Sequence, residues 1–270
     1  YVHGSFVQSK MYHKRVRCTN CQNPHTTELK YEGNRVCTSC HQHPAGKYDS
    51  PAHHHHQPGT SGAACVDCHM PEKTYMEVDP RRDHQLQVPR PDLSVQLGTP
   101  NACSGCHLER TRVNPEKREA LGEYSNWLDA VSSGDSEIQS ELEELDRWAA
   151  EKVVAWYGGP SREKQDHKFA AILSAARRGV PAVEPLLRKL CKDRRVPAIV
   201  RATAVAELVQ FEGGHVSRSL SDALQDRDPQ VRLAAVDAYQ VNLGNTSMLE
   251  SICRDLAPLL DDPRRAVRQA

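Results

Sequence analysis

The chain has 270 residues and a formal charge of zero, so no basic excess draws it to nucleic acid or to an anionic membrane. That length holds one large domain or two ordinary ones, and no apolar run is long enough to cross a bilayer. Aromatic residues make up 5% of the chain, thin material for a core of this size. Ten cysteines are out of place in a cytosolic enzyme unless they hold a metal or a cofactor.

Residues 1 to about 110 are turn-rich, with Pro, Gly, Asn and His throughout and no sustained helical periodicity. Eight of the cysteines fall here, in four Cys-x-x-Cys pairs. The first pair, Cys18 and Cys21, is followed by Gln22. The other three are each followed by histidine: Cys37 and Cys40 by His41, Cys65 and Cys68 by His69, Cys103 and Cys106 by His107. Cys-x-x-Cys-His is the attachment signature of c-type haem. Two intervening residues let both sulfurs reach the vinyl groups from one face of the macrocycle, and the adjoining His is placed under the iron as an axial ligand. Three copies within about 70 residues are not easily accidental. Haem macrocycles would also supply the apolar bulk that the aromatic content lacks. Covalent attachment takes place outside the bacterial cytoplasm, so the expected location is periplasmic or otherwise extracytoplasmic. The chain opens with Tyr1, shows no signal peptide and stops at Gln269-Ala270 within a helical pattern. It reads as a fragment whose export signal lies upstream.

Gln22 stands where a proximal His is expected, and three readings of Cys18/Cys21 stay open. A fourth haem attaches there with another ligand, His25 being the nearest; the pair has lost its haem and is free or oxidised; or Gln22 is an altered residue at an ordinary haem site. A zinc ribbon is the metal rival, since Cys18/Cys21 and Cys37/Cys40 have ribbon spacing and four thiolates make a closed tetrahedral site. Against it, a ribbon does not require the His that follows three of the four pairs.

Histidine supply is ample, at fourteen. Three are proximal by motif, and six-coordinate iron needs a distal partner for each. His3, His13, His25, His43, the run His53 to His56, and His84 are the candidates within the first ninety residues. At most two of the four consecutive histidines are expected on iron, because neighbouring side chains diverge; His43, close after a proximal His, reads as loop.

The run CTNCQNPH resembles the CxxCHxPH element of multihaem c-type cytochromes with doubled CXXCH motifs, apart from Gln22. MYHKRVRC before it is similar to their usual approach, in which a His ahead of the first Cys serves another haem. The block from HHHHQPGTSGAACVDCH to GTPNACSGCH is similar to the long second block of one such family, often fused to HEAT-type or tetratricopeptide repeats. The resemblance covers roughly residues 1 to 110 and the repeat tail. It implies proximal ligation by His41, His69 and His107, distal ligation by His13, His25, His55 and His84, and covalent haem c at three sites, with a fourth at Cys18/Cys21 left open by Gln22.

The stretch from Asp79 to Pro91 is Pro-bounded and reads as an extended loop, its arginines suited to carboxylates such as haem propionates. A helical pattern begins at Pro115, carries Leu121, Tyr124 and Leu128 on one face and ends at Ser132-Ser133-Gly134. Asp135 or Ser136 caps the next helix, whose stripe is Ile138, Leu142, Leu145 and Ala149; Gly158-Gly159-Pro160 stops it. Trp127, Trp148 and Trp156 read as packing residues. From Ser161 onward an Asp-Pro…Val-Arg…Ala pattern recurs, with Arg201, Arg232 and Arg268 spaced 31 and 36 residues apart. Paired helices at that period predict an α-solenoid resembling HEAT repeats. Phe169, Ile172 and Ala176, then Val183, Leu187 and Leu190, Val216, Leu220 and Ala223, and Leu249, Ile252, Leu256 and Leu259 supply its other stripes. Cys191 and Cys253 read as small buried hydrophobes, and the arginine ladder as Asp–Arg pairing between repeats.

The expected fold is therefore mainly α: a haem-packed, loop-rich module over 1–110, connecting helices over 111–160 and HEAT-like repeats over 161–270. The expected function is electron transfer to a redox partner protein, other cytochromes included. The alternatives are a multihaem reductase or oxidase with one open iron, and a zinc-stabilised interaction module.

Overall fold

The structure, a computed structural model, describes residues 2–42, 44, 46–76, 78–158, 168–211, 213–241 and 249–270. His43, Gly159, Pro160, Ser161 and the side chains of Leu249 and Ile252 lie outside what is described. The chain is mainly helical and divides into two compact units, Tyr1–Gly159 and Pro160–Ala270.

The first unit begins with short helices separated by polar turns: α1 (Val2–Val7), α2 (Lys10–His13), α3 (Cys18–Cys21), α4 (Arg35–Thr38), α5 (Pro51–His54) and α6 (Cys65–His69). A two-stranded antiparallel ribbon follows, β1 (Glu72–Tyr75) paired with β2 (Asp79–Arg82), Thr74 standing opposite Pro80. The stretch expected as loop thus opens as a strand, because Pro80 sits at the margin of a two-stranded ribbon where a missing N–H is tolerated. Next come α7 (Pro91–Leu97), started by proline at its first turn, and α8 (Ala102–Cys106). The helix expected from Pro115 is two, α9 (Pro115–Leu121) and α10 (Tyr124–Ser132). Gly122 breaks it with φ 61° and ψ −107°, a conformation only glycine adopts readily. Last is α11 (Ser136–Tyr157), capped by the Asp135 carboxylate accepting from Ile138 N–H and ended at Gly158 with φ 77°.

The predicted stripe of α11 is buried at all four positions, and Ile138, Leu142 and Leu145 meet Trp127 and Val113 in the core of this unit. This helix packs on α7, α8 and α10. The segment read as a connector is therefore a structural part of the unit that holds the cysteine motifs. By contrast, among the described residues from 2 to 90 only Phe6 and Ala63 are buried hydrophobics.

The second unit contains α12 (Lys168–Arg177), α13 (Glu184–Lys192), α14 (Ala198–Leu208), α15 (Gly214–Leu224), α16 (Pro229–Val241), α17 (Leu249–Leu256) and α18 (Arg265–Gln269). Helix α14 contacts α12 and α16, and α16 contacts α18; α13 contacts α15, and α15 contacts α17. Leu187, Val205, Leu208, Leu224 and Val231 fill the core between them. The ladder pairs internally: Arg201 reaches Asp226 at 2.9 Å, and Arg232 grips Asp262 through two bonds of 2.7 and 3.0 Å. Arg268 donates to the carbonyl of Asp262, whose carboxyl the Arg232 guanidinium holds below the usual carboxylate range. Arg177–Glu207 and Lys192–Asp222 add pairs thirty residues apart in sequence. Cys191 is buried, its thiol pushed up to about 12 by burial, as a packing residue would be. Cys253 is instead exposed.

Candidate cofactor site

Short helices set the three Cys-x-x-Cys-His segments, and asparagines tie them together. Asn34, at the start of α4, accepts from the Cys65 N–H at 2.8 Å and donates to Asp49 at 2.7 Å and to the Ala63 carbonyl at 3.0 Å. One amide thus caps the start of α6 and anchors α4 beside it. The Cys37 thiol meets Cys65 across this junction, and that hydrogen bond together with burial pushes Cys37 up. Asn101 does the same for α8. Its side chain accepts from Ser104 N–H at 2.9 Å and donates to Ser94 and to Asp146 of α11, both at 2.8 Å. Ser104 also donates to Asp146, whose carboxyl burial pushes up. Burial pushes the Cys68 thiol up to about 11 and raises Cys103 and Cys106 as well.

Two of the three motif histidines have one ring nitrogen engaged. His69 Nδ1 lies 2.8 Å from the Gln87 carbonyl, and His107 Nδ1 lies 3.2 Å from the Glu109 carboxylate. His56 Nδ1 and His84 Nδ1 likewise meet the carbonyls of His54 and Arg82. An Nδ1–H donated to oxygen leaves the lone pair on Nε2, the arrangement of a metal-binding imidazole.

Each of these two motif rings lies beside a second imidazole from the four-histidine run. The His53 and His69 ring centres are 6.2 Å apart with planes 6° from parallel, and His56 and His107 are 6.0 Å apart at 20°. Two imidazoles bound to one metal from opposite sides, each at about 2 Å, hold their ring centres about 6 Å apart. Burial, then the nearby His69, lowers the pKa of His53 and favours the neutral, ligating form. A cleft is lined by His56, His107, Cys103, Cys106, Trp148 and Gly62 among others. Gly62 is needed there, since a Cβ on it would come within 2.2 Å of the His56 ring.

The other candidates lie differently. His55 takes a left-handed backbone at φ 58°, stacks on Trp156 with ring centres 4.2 Å apart, and buries an Nε2 that has no partner among the described residues. His41 meets Tyr48 edge-on at 6.1 Å, and Tyr48 meets His53 at 5.3 Å. His13, at the end of α2, and His25, in a turn, are exposed, and His84 is half-buried with its N–H on Ser5. None of these three rings opposes His41, His69 or His107 in a described contact. After Cys21 the chain leaves its helical turn. Gln22 is extended, at φ −119° and ψ 152°, and bridges to Leu29. The arginines of the ribbon region meet carboxylates of the chain: Arg81 on Asp79, Arg82 on Asp67 and Arg90 on Asp92.

The family resemblance implies His55 from the run, whereas the rings beside His69 and His107 are those of His53 and His56. Sequence reasoning also read Trp148 and Trp156 as packing, passed over Tyr157, Asp146 and Gly62, and so missed what α11 brings to the site. The available signal was three aromatic residues at positions 148, 156 and 157 beside the apolar stripe. Among the described residues no three or more His, Cys, Asp or Glu gather to hold a metal ion, whereas an iron inside a macrocycle takes only two side chains from the protein. No family model, curated protein or solved structure matches the chain.

Proposed function

We propose that the first unit is a multihaem c-type cytochrome module that carries electrons outside the cytoplasm to a redox partner, other cytochromes included. The observation that carries this reading is the facing of His53 with His69 and His56 with His107, each proximal ring one residue after a cysteine pair. Haem c supplies reversible one-electron iron chemistry when bound. The residues fit it in three ways. Cys65/Cys68 and Cys103/Cys106 would hold it covalently, and His53 with His69 and His56 with His107 would be its side-chain ligands. The region from 2 to 90 also buries almost no hydrophobic side chains of its own among those described, which suits a module packed around macrocycles.

Cys37, Cys40 and His41 would hold a third group on the motif alone. The Cys37 thiol hydrogen-bonds to Cys65, and α6, which carries Cys65 and Cys68, packs on α8, which carries Cys103 and Cys106. That adjacency supports electron passage in chain order, with the Cys65/Cys68 site in the middle. If both imidazoles of a pair hold its iron, the site suits a carrier better than an enzyme, which needs one open iron position. For the second unit, the alternating helix contacts and the ion pairs thirty residues apart support a HEAT-like α-solenoid, read here as the surface that docks a partner.

The test is the intact mass and visible spectrum of the chain, exported and matured with a haem-attachment system. Three covalent haems with a low-spin, CO-inert spectrum are expected. A colourless, unmodified product from a host that matures a control cytochrome would overturn the reading. A fourth, CO-reactive haem would move Cys18/Cys21 to the centre and favour an enzyme. In the same preparation Gly62→Val is expected to drive the His56 ring aside and make one haem CO-reactive, with the haem count unchanged.

A further inference from the structure

Resting on the haem reading of the two facing imidazole pairs, we infer that the last turn of α11 clamps the histidine strap, with Trp156 and Tyr157 as positioning residues for both distal ligands. His53 and His56 lie three residues apart yet face different proximal histidines. What separates them is the backbone between. Helix α5 ends at His54, and His55 turns into the left-handed region at φ 58°. A residue with a side chain holds that conformation only where its surroundings over-determine it.

The surroundings are α11. Trp156 lies flat on the His55 ring, 4.2 Å away and 12° from parallel. Tyr157 meets His55 edge-on at 5.5 Å and His53 at 5.9 Å, and its hydroxyl donates to the His53 carbonyl. His55 therefore serves as the gripped residue: its ring is held by stacking, and its buried Nε2 makes no hydrogen bond among the described residues. Trp156 and Tyr157 are 40% and 51% exposed, so they are surface residues whose covered faces lie on the strap. Two turns earlier Trp148 meets His107 edge-on at 5.1 Å, backed by the Arg110 guanidinium at 4.3 Å from its ring. One helix thus contacts a distal strap and a proximal ring together, and fixes the gap between them.

The test uses the matured full chain and compares Trp156→Ala, Trp156→Phe and Tyr157→Phe, with Val154→Ala, an exposed change on the same helix, as control. The readouts are intact mass, the low-spin spectrum, CO uptake by the reduced protein and the reduction potentials. Trp156→Ala is expected to keep the haem count and raise CO uptake at least tenfold; Trp156→Phe, which keeps a stacking face, restores CO inertness, and Val154→Ala changes nothing. Tyr157→Phe, which keeps the ring and loses only the hydroxyl, is expected to shift the potential of at least one haem, and it carries the test if Trp156→Ala does not mature. Unchanged spectra, potentials and CO inertness in both Trp156→Ala and Tyr157→Phe, with full haem mass, would overturn the clamp. An unaltered chain that takes up no haem would instead sink the cytochrome reading on which the clamp rests.

Discussion

His53→Ala and His56→Ala are each expected to open one CO-binding iron in the matured protein, at the Cys65/Cys68 and Cys103/Cys106 sites respectively, and the double variant to open two. The reasoning is geometric. Alanine offers no ligand, and the neighbouring rings are committed elsewhere: His54 Nδ1 accepts from the His56 N–H at 3.2 Å, and His55 is stacked on Trp156. The strap therefore holds no spare imidazole in position. The proximal rings should remain set, because their Nδ1 contacts with Gln87 and Glu109 do not involve the strap. A CO titration of the reduced protein, scaled to haem content from intact mass, reads the number of opened irons directly. His55→Ala is the decisive comparison. If it opens a single iron outright while His53→Ala and His56→Ala stay inert, the ring pairing is wrong and the ligand implied by family resemblance is right.

Arg201→Leu is expected to destabilise the second unit by about 3 kcal/mol, the usual cost of leaving one charge of a buried pair unpaired. The Arg201 and Asp226 side chains are only 8% and 11% exposed, so water cannot replace the lost partner. Arg201 also donates to the Val196 carbonyl at 3.0 Å, tying the loop before α14 to the start of the next repeat. For a unit of this size the loss corresponds to a fall in Tm on the order of 10 °C, measured by circular dichroism on the full chain. Arg201→Leu with Asp226→Asn should recover part of it, since no buried charge then stands alone and the amide oxygen can still accept the Asp228 N–H, now bonded at 2.8 Å. Arg195→Leu should change nothing measurable, because its side chain is 87% exposed and surface pairs contribute little. Equal effects from Arg201→Leu and Arg195→Leu would remove the ladder from any account of how these helices are held.

The amino-acid sequence by itself settled much of this protein. Local signals located the buried stripe of α11, the stop at Gly158 and a cap at Asp135 or Ser136, of which the structure uses Asp135, because such signals depend only on neighbours within a few turns. The repeat spacing of the arginines likewise anticipated Asp–Arg pairing between repeats, and the structure supplies the partners, Asp226 for Arg201 and Asp262 for Arg232. The cysteine motifs also place thiol, thiol and imidazole within one turn of chain at three positions, which is where the proposed haems would be anchored. Local reading went astray where a single residue's backbone decided the outcome, as at Gly122, or where two strands paired, as at Pro80.

Only the tertiary structure decided which members of the four-histidine run face a proximal ring. In the sequence His53, His54, His55 and His56 are equivalent, and nothing local distinguishes them. The left-handed turn at His55, the space left by Gly62 and the aromatic end of α11 turn His53 and His56 toward His69 and His107. Tyr157 stands 104 residues from the His53 carbonyl it bonds, a contact that no short-range pattern encodes. Anchor positions are a property of adjacent residues, whereas ligand choice is a property of surfaces that meet only after the chain has folded.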